Sequence, residues 1–191
     1  MSENKDEKIQ PPSVYASTKL SGEILSKIMM EDSDTNLLLP RFFTVYGPYG
    51  RPDMSILRFI HWISTDQEVI IYGDGEQRRS FTYVTDIIDG LNRLKNYEES
   101  DTFNFGSDIT WSLIEIISKI ETLLGKKANL VFKERAFRDV DVVLPNLSKS
   151  KEKLDWQPMI DIDEGLKGTI DWYEKNKNYL ENIKFKYSYE K

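Results

Sequence analysis

The stretch LLLPRFFTVYGPYGRPD, residues 37–53, joins two unlike halves. Its first part crowds leucine, aromatic and β-branched residues into a short run, the composition of a buried strand. Its second part, GPYGRPD, reads as a loop, because glycine and proline punctuate it at every second or third position. Upstream, Leu20, Ile24, Leu25, Ile28 and Met29 recur at the spacing of one buried helical face behind a Pro11-Pro12 start, and EDSDTN ends that helix. Downstream, a second helix is expected from about Met54 to Ser64.

The same alternation continues. EVIIYG reads as a short strand, GDGEQRRS as a turn, and FTYV as an entry into a helix over about 85–95 that Thr85 or Asp86 could cap. TFNFG and ANLVFK are further strand candidates. Between them Ser112 can cap a helix through Leu124, with Gly125 as its stop. A short helix over 148–155 and an amphipathic one over 163–177, with Leu166, Ile170 and Tyr173 on one side, complete the chain. Strand and helix in alternation predict an α/β protein.

Composition narrows the chemistry. The 191 residues hold no cysteine, which removes disulfides, thiolate zinc sites and cysteine nucleophiles. The single histidine, His61, sits beside Trp62 within a predicted helix and reads as a packing or surface residue, so a histidine-based triad or metal cluster is not expected. A net charge of −6 argues against a nucleic-acid partner, whose binding is driven by Lys and Arg. The apolar runs stop well short of membrane-spanning length, and the opening MSENKDEKIQ does not resemble a signal peptide, so a soluble protein with a cytoplasmic default is expected. The arginines occur in pairs, Arg78 with Arg79 and Arg135 with Arg138, which suits small anionic ligands better than a basic face would.

Whatever chemistry such a chain performs must use Tyr, Lys, Ser, Thr or carboxylates. In PPSVYASTKLSGEI, residues 11–24, Tyr15 and Lys19 stand four apart and share a helical face. An ammonium beside a phenol favours the phenolate and draws it toward the role of general base. The spacing alone decides nothing, since Tyr173 with Lys177 and Tyr187 with Lys191 repeat it. Context separates the three. Tyr173 lies beside Trp172 in an amphipathic helix and Tyr187 in a charged tail, whereas Ala16, Ser17, Ser21 and Gly22 leave room for a ligand around Tyr15.

Taken in order, SVYASTKLSGE, PRFFTVYGPYGRPDM, IYGDGEQRRSFTYVTDIIDG, FNFGS and LDWQP resemble the extended short-chain dehydrogenase/reductases, specifically the NAD-dependent nucleotide-sugar epimerases and dehydratases, and the second segment is most similar to UDP-glucuronate 4-epimerases. The resemblance implies that Tyr15 takes the proton of the sugar 4-hydroxyl while hydride passes to NAD, and that Lys19 holds the nicotinamide ribose. It implies that Thr44 faces the sugar, that Arg51 lies near the substrate's anionic groups, and that Arg79 contacts the nucleotide diphosphate, with Ser80 standing where the family has aspartate. A second diphosphate arginine is expected at Arg138, or at Arg135; the alignment puts Asp139 on the family's aspartate and Ala136 where the arginine often falls. Asn146 takes another aspartate position.

The chain departs from the family in one respect. No three-glycine turn of the kind that cradles a dinucleotide pyrophosphate occurs, and no serine- or threonine-bearing strand precedes Tyr15. The expected architecture is therefore the C-terminal part of a Rossmann-like parallel sheet plus the smaller α/β substrate-binding domain. Residues 1–10 are a disordered segment, 11–46 a remnant of the dinucleotide-binding domain, 47–180 mainly the nucleotide-sugar domain with 81–97 packing back on the Rossmann part, and 181–191 a charged tail. The expected function is the substrate half of a 4-epimerase acting on UDP-hexose or UDP-hexuronate. A noncatalytic nucleotide-sugar module, an inactive fragment and a 4,6-dehydratase stay open beside it. NAD is the implied cofactor. The implied partners are a homodimer mate or a separate N-terminal half, because a sheet without its first strands should expose an edge or an apolar face.

Overall fold

The computed structural model describes residues 11, 13–134 and 142–185. In chain order these form α1 (Val14–Met29), β1 (Leu38–Phe42), β2 (Thr44–Tyr46), α2 (Ser55–Ser64), β3 (Glu68–Tyr72), β4 (Arg78–Arg79), β5 (Phe81–Tyr83) and α3 (Val84–Leu94). There follow β6 (Asp101–Phe105), β7 (Trp111–Ser112), α4 (Leu113–Leu124), β8 (Asn129–Lys133), β9 (Val142–Val143), α5 (Ser148–Leu154), α6 (Ile162–Lys175) and α7 (Lys177–Leu180). The alternation is that of an α/β fold, and β1 with β6, β2 with β5, β3 with β8 and β4 with β9 are all parallel pairs; only β4 with β7 is antiparallel.

The run expected as one strand over 37–47 is two. At Phe43 the chain changes partner: its N–H still donates to Phe105 O at 3.0 Å, while the N–H of Thr44 donates to Ser80 O at 3.2 Å. β1 thus stays beside β6, with Leu38 level with Asp101, and β2 moves across to β5, with Thr44 level with Phe81. That crossing brings Thr44 and Tyr46 to the place where β5 ends.

Two apolar clusters hold these layers. In one, Ile56, Phe59, Ile60 and Ile63 of α2 meet Ile116 and Ile120 of α4 and Leu166 of α6. In the other, Phe103 and Phe105 of β6 meet Ile87 and Leu94 of α3, Leu154 of α5, and Trp156, whose indole N–H donates to Asp86 O at 2.9 Å. Each such side chain stabilises the fold by about 1.5–3 kcal/mol relative to exposure.

Most helix ends form where expected. Ser112 and Glu115 make a reciprocal capping box on α4, and Gly125 closes that helix at φ 63°. Two expectations are corrected. The cap of α3 is neither Thr85 nor Asp86, because the helix starts at Val84 with Tyr83 in the cap position; Asp86 instead accepts the N–H of Ile160 at 3.1 Å. The apolar face of α1 is not buried either: Ile24, Leu25, Ile28 and Met29 are 49–80% exposed, because no described element lies over it. No helix among the described residues is long and apolar enough to cross a membrane.

Candidate functional site

The site is built where β2 and β5 end. Thr44, Tyr46, Gly47, Arg51, Met54 and Phe81 line one cleft. The chain leaves β2 through Gly47 at φ 134°, where a side chain would put its Cβ 2.7 Å from Val84 Cγ1, so only glycine fits. The N–H of Gly50 donates back to Gly47 O at 3.2 Å, and the N–H of Met54 to Arg51 O at 3.1 Å, closing the loop ahead of α2. Tyr49, between them, holds φ 59°, a conformation that costs a side-chain-bearing residue about 1–2 kcal/mol. Its ring lies 5.1 Å from that of Trp172 on α6.

Arg51 projects from this loop as an aimed cation. Its Nε and Nη2 donate to Asp53 Oδ1 and Oδ2 at 3.0 and 2.6 Å, and Arg58 Nη1 in turn donates to the Asp53 carbonyl at 2.5 Å. The bond to Asp53 raises the guanidinium further above its ordinary value.

Tyr15 and Lys19 share the expected face of α1, the ammonium 5.4 Å from the centre of the phenol ring. α1 is anchored by Glu23, one turn beyond Lys19: Arg41 of β1 donates to its two oxygens at 2.7 and 2.6 Å, and this bond holds the carboxyl below the usual range. Burial pushes Tyr46, Tyr83 and Tyr173 upward and keeps them protonated. Tyr173 bonds His61 Nδ1 at 2.9 Å, and His61, its own pKa lowered by burial, stacks on Phe185 at 3.9 Å, so both have the packing roles read from the sequence. Tyr187 lies outside the described residues.

Arg79 stands two residues before Phe81, on β4, and donates through Nη1 to the Arg78 carbonyl at 2.9 Å. Ser80 performs a structural task where the family has a carboxylate. Its Oγ donates to Ser107 O at 2.8 Å and accepts from Ser107 N at 2.7 Å, pinning the end of β6 to the start of β5. Arg135, Ala136, Arg138 and Asp139 lie outside the described residues; the chain returns at β9, where Val142 and Val143 pair level with Arg78 and Arg79. Asn146 accepts the N–H of Ser148 at 2.9 Å through its side-chain carbonyl, a local turn just ahead of α5, whose cap position is Leu147.

Sequence reasoning missed the contribution of α6. At Gly165 a Cβ would fall on the Tyr46 hydroxyl and 2.7 Å from its Cζ, and at Gly168 it would lie 2.7 Å from the Tyr83 hydroxyl. The helix backbone is thus seated on the tyrosines that end β2 and β5. The signal was present as two glycines three apart inside an otherwise good helix.

A family model described as GDP-mannose 4,6 dehydratase matches residues 1–169. The chain belongs to that family. It is the NAD-dependent epimerase/dehydratase branch of the extended short-chain dehydrogenase/reductases, and its members account for the parallel α/β architecture. A UDP-glucuronate 4-epimerase of Thermodesulfobacterium geofontis is 40% identical over 183 residues, 95% of this chain and 57% of that protein. The UDP-glucuronic acid 4-epimerase of Bacillus cereus, solved with UDP-glucuronic acid and NAD, is 31% identical at a TM-score of 0.84, over 90% of this chain and 56% of that one. MoeE5, solved with UDP-glucose and NAD, is 30% identical at a TM-score of 0.86, over 91% and 59%. The chain therefore spans just over half the length of these epimerase/dehydratase relatives.

Proposed function

We propose that this chain is the substrate-binding part of an NAD-dependent UDP-hexuronate 4-epimerase. The carrying observation is the cleft that Thr44 and Arg51 line together, beside a helix that presents Tyr15 and Lys19 on one face. A guanidinium suits a carboxylate or phosphate, a threonine hydroxyl suits a sugar hydroxyl, and an exposed phenol beside an ammonium suits proton transfer. Tyr15 removes the 4-hydroxyl proton as the C4 hydrogen leaves with its electron pair, giving a 4-keto sugar, and returns a proton after the sugar has turned over. Lys19 holds its ammonium 5.4 Å from the centre of that phenol ring, on the face of α1 that meets the nicotinamide ribose. Arg51 holds the hexuronate carboxylate, and Arg79, with Arg138 as second candidate, the diphosphate.

The residues present fit one end of NAD. Tyr15 is 71% exposed with an ammonium on the same face, a donor set for the nicotinamide ribose, while no glycine turn suited to the pyrophosphate occurs in the chain. When bound, NAD supplies the hydride acceptor and donor.

A 4,6-dehydratase is the second reading, favoured by the description of the family model. Such chemistry needs a further acid and base, a carboxylate pair that the resemblance places on a strand upstream of Tyr15. Calorimetric titration with UDP-glucuronate, UDP-glucose, UDP and NAD separates the cases. The reading expects the hexuronate to bind more tightly than UDP and than the hexose. Equal affinity for all three nucleotides would discard the hexuronate assignment, and binding of none would discard a self-sufficient substrate site.

A further inference from the structure

The loop that carries Arg51 contains a feature that its own sequence does not require. Tyr49 sits at φ 59° with its ring 79% exposed, a place where glycine would meet no steric objection. A strained residue persists where its surroundings over-determine it, and here these are the turn closed by the Gly50-to-Gly47 hydrogen bond over Pro48 and Tyr49, and a facing aromatic ring. The ring of Tyr49 lies 5.1 Å from that of Trp172, tilted by 55°. Trp172 belongs to the face of α6 that also carries Gly165 and Gly168, whose backbone rests against Tyr46 and Tyr83. Among the described residues its buried indole N–H has no acceptor. One helix face thus touches the end of β2, the end of β5 and the loop between β2 and α2.

We propose that the Tyr49–Trp172 contact is a latch that fixes the 47–53 loop, making both residues positioning residues for the Arg51 guanidinium and α6 the element that sets anion selectivity. Tyr49 is two residues from Arg51; the Gly50-to-Gly47 hydrogen bond closes the turn over Tyr49, and the Met54-to-Arg51 bond closes the turn that follows. Release of the ring lets Tyr49 leave its left-handed conformation, which swings the Arg51 backbone and moves its side chain away from the cleft. The effect on selectivity rests on the hexuronate reading; the effect on the loop does not.

The test is amide hydrogen exchange of residues 47–54 in the full chain, combined with calorimetry. Trp172→Ala should accelerate exchange at Gly50 and Met54 about tenfold and leave Val69 and Phe103, deep in the two cores, unchanged. Tyr49→Ala, which removes the ring and keeps the steric drive out of the left-handed region, should do the same. Trp172→Phe, which keeps a ring under Tyr49, should restore slow exchange. In parallel, the ratio of UDP-glucuronate to UDP affinity should fall about fivefold in Trp172→Ala and recover in Trp172→Phe. Loop exchange unchanged in Tyr49→Ala, or accelerated in step with both cores in Trp172→Ala, overturns the latch. Should the parent chain bind UDP-glucuronate no better than UDP, the hexuronate reading fails, and the exchange experiment still decides the latch.

Discussion

At the scale of single residues, surroundings separate groups that the sequence presents as equals. Tyr15 and Tyr173 each precede a lysine by four positions, yet Tyr15 is 71% exposed and Tyr173 2%. Exposure cannot be read from spacing, because it depends on what packs against the helix. The left-handed Tyr49 was equally illegible, since that conformation is uncommon for any residue but glycine and tyrosine gives no hint of it. Arg51 was legible from its motif, and its geometry leads to a prediction. Its two bonds to Asp53 leave the cation paired in the absence of ligand, so a carboxylate must compete for it. Arg51→Ala should weaken UDP-glucuronate by about tenfold, roughly 1.4 kcal/mol, and leave UDP unaffected in calorimetric titration. An equal loss for UDP would move Arg51 from the sugar to the diphosphate.

At the scale of elements, helix periods and caps were read well and partners were not. The capping box at Ser112 and the stop at Gly125 are local chemistry, visible in a few residues. The split at Phe43 is not, because a strand changes partner according to what lies beside it, here β6 and then β5. Two predictions belong here. In α6, Gly165→Ala drives a methyl into the Tyr46 ring and should cost about 1–3 kcal/mol, lowering the thermal midpoint by several degrees in calorimetry; an unchanged midpoint would mean that α6 shifts freely. In α1, Glu23 is held below its ordinary value of 4.5 by Arg41. A depressed carboxylate contributes stability that is present above the unfolded value and is lost as pH falls below it through the folded value. Hydrogen exchange across α1, corrected for intrinsic rates, should therefore show wild-type α1 opening more readily at pH 3 than at pH 7. Glu23→Gln should open it at pH 7 by up to about 1 kcal/mol and abolish the difference, and a pH response that survives the substitution would assign the anchor elsewhere.

At the scale of the whole molecule, the α/β class was legible from alternation, and the family from the order of five short segments; the sheet partners were not, since parallel pairs such as β3 with β8 join residues some sixty positions apart. The exposed side chains of α1 form an apolar face that water does not favour. We expect a second copy to cover it. Sedimentation velocity should show concentration-dependent association, which Ile28→Glu together with Leu25→Glu should suppress, and a wild-type chain that stays monomeric at high concentration would contradict this. The central claim is a nucleotide-sugar site where β2 and β5 end, and a two-dimensional amide NMR titration with UDP-glucuronate tests it most directly. The account predicts saturable shifts concentrated in residues 44–51 and 78–83, with the cores unmoved. Saturable shifts centred elsewhere, or none at millimolar ligand, would contradict it.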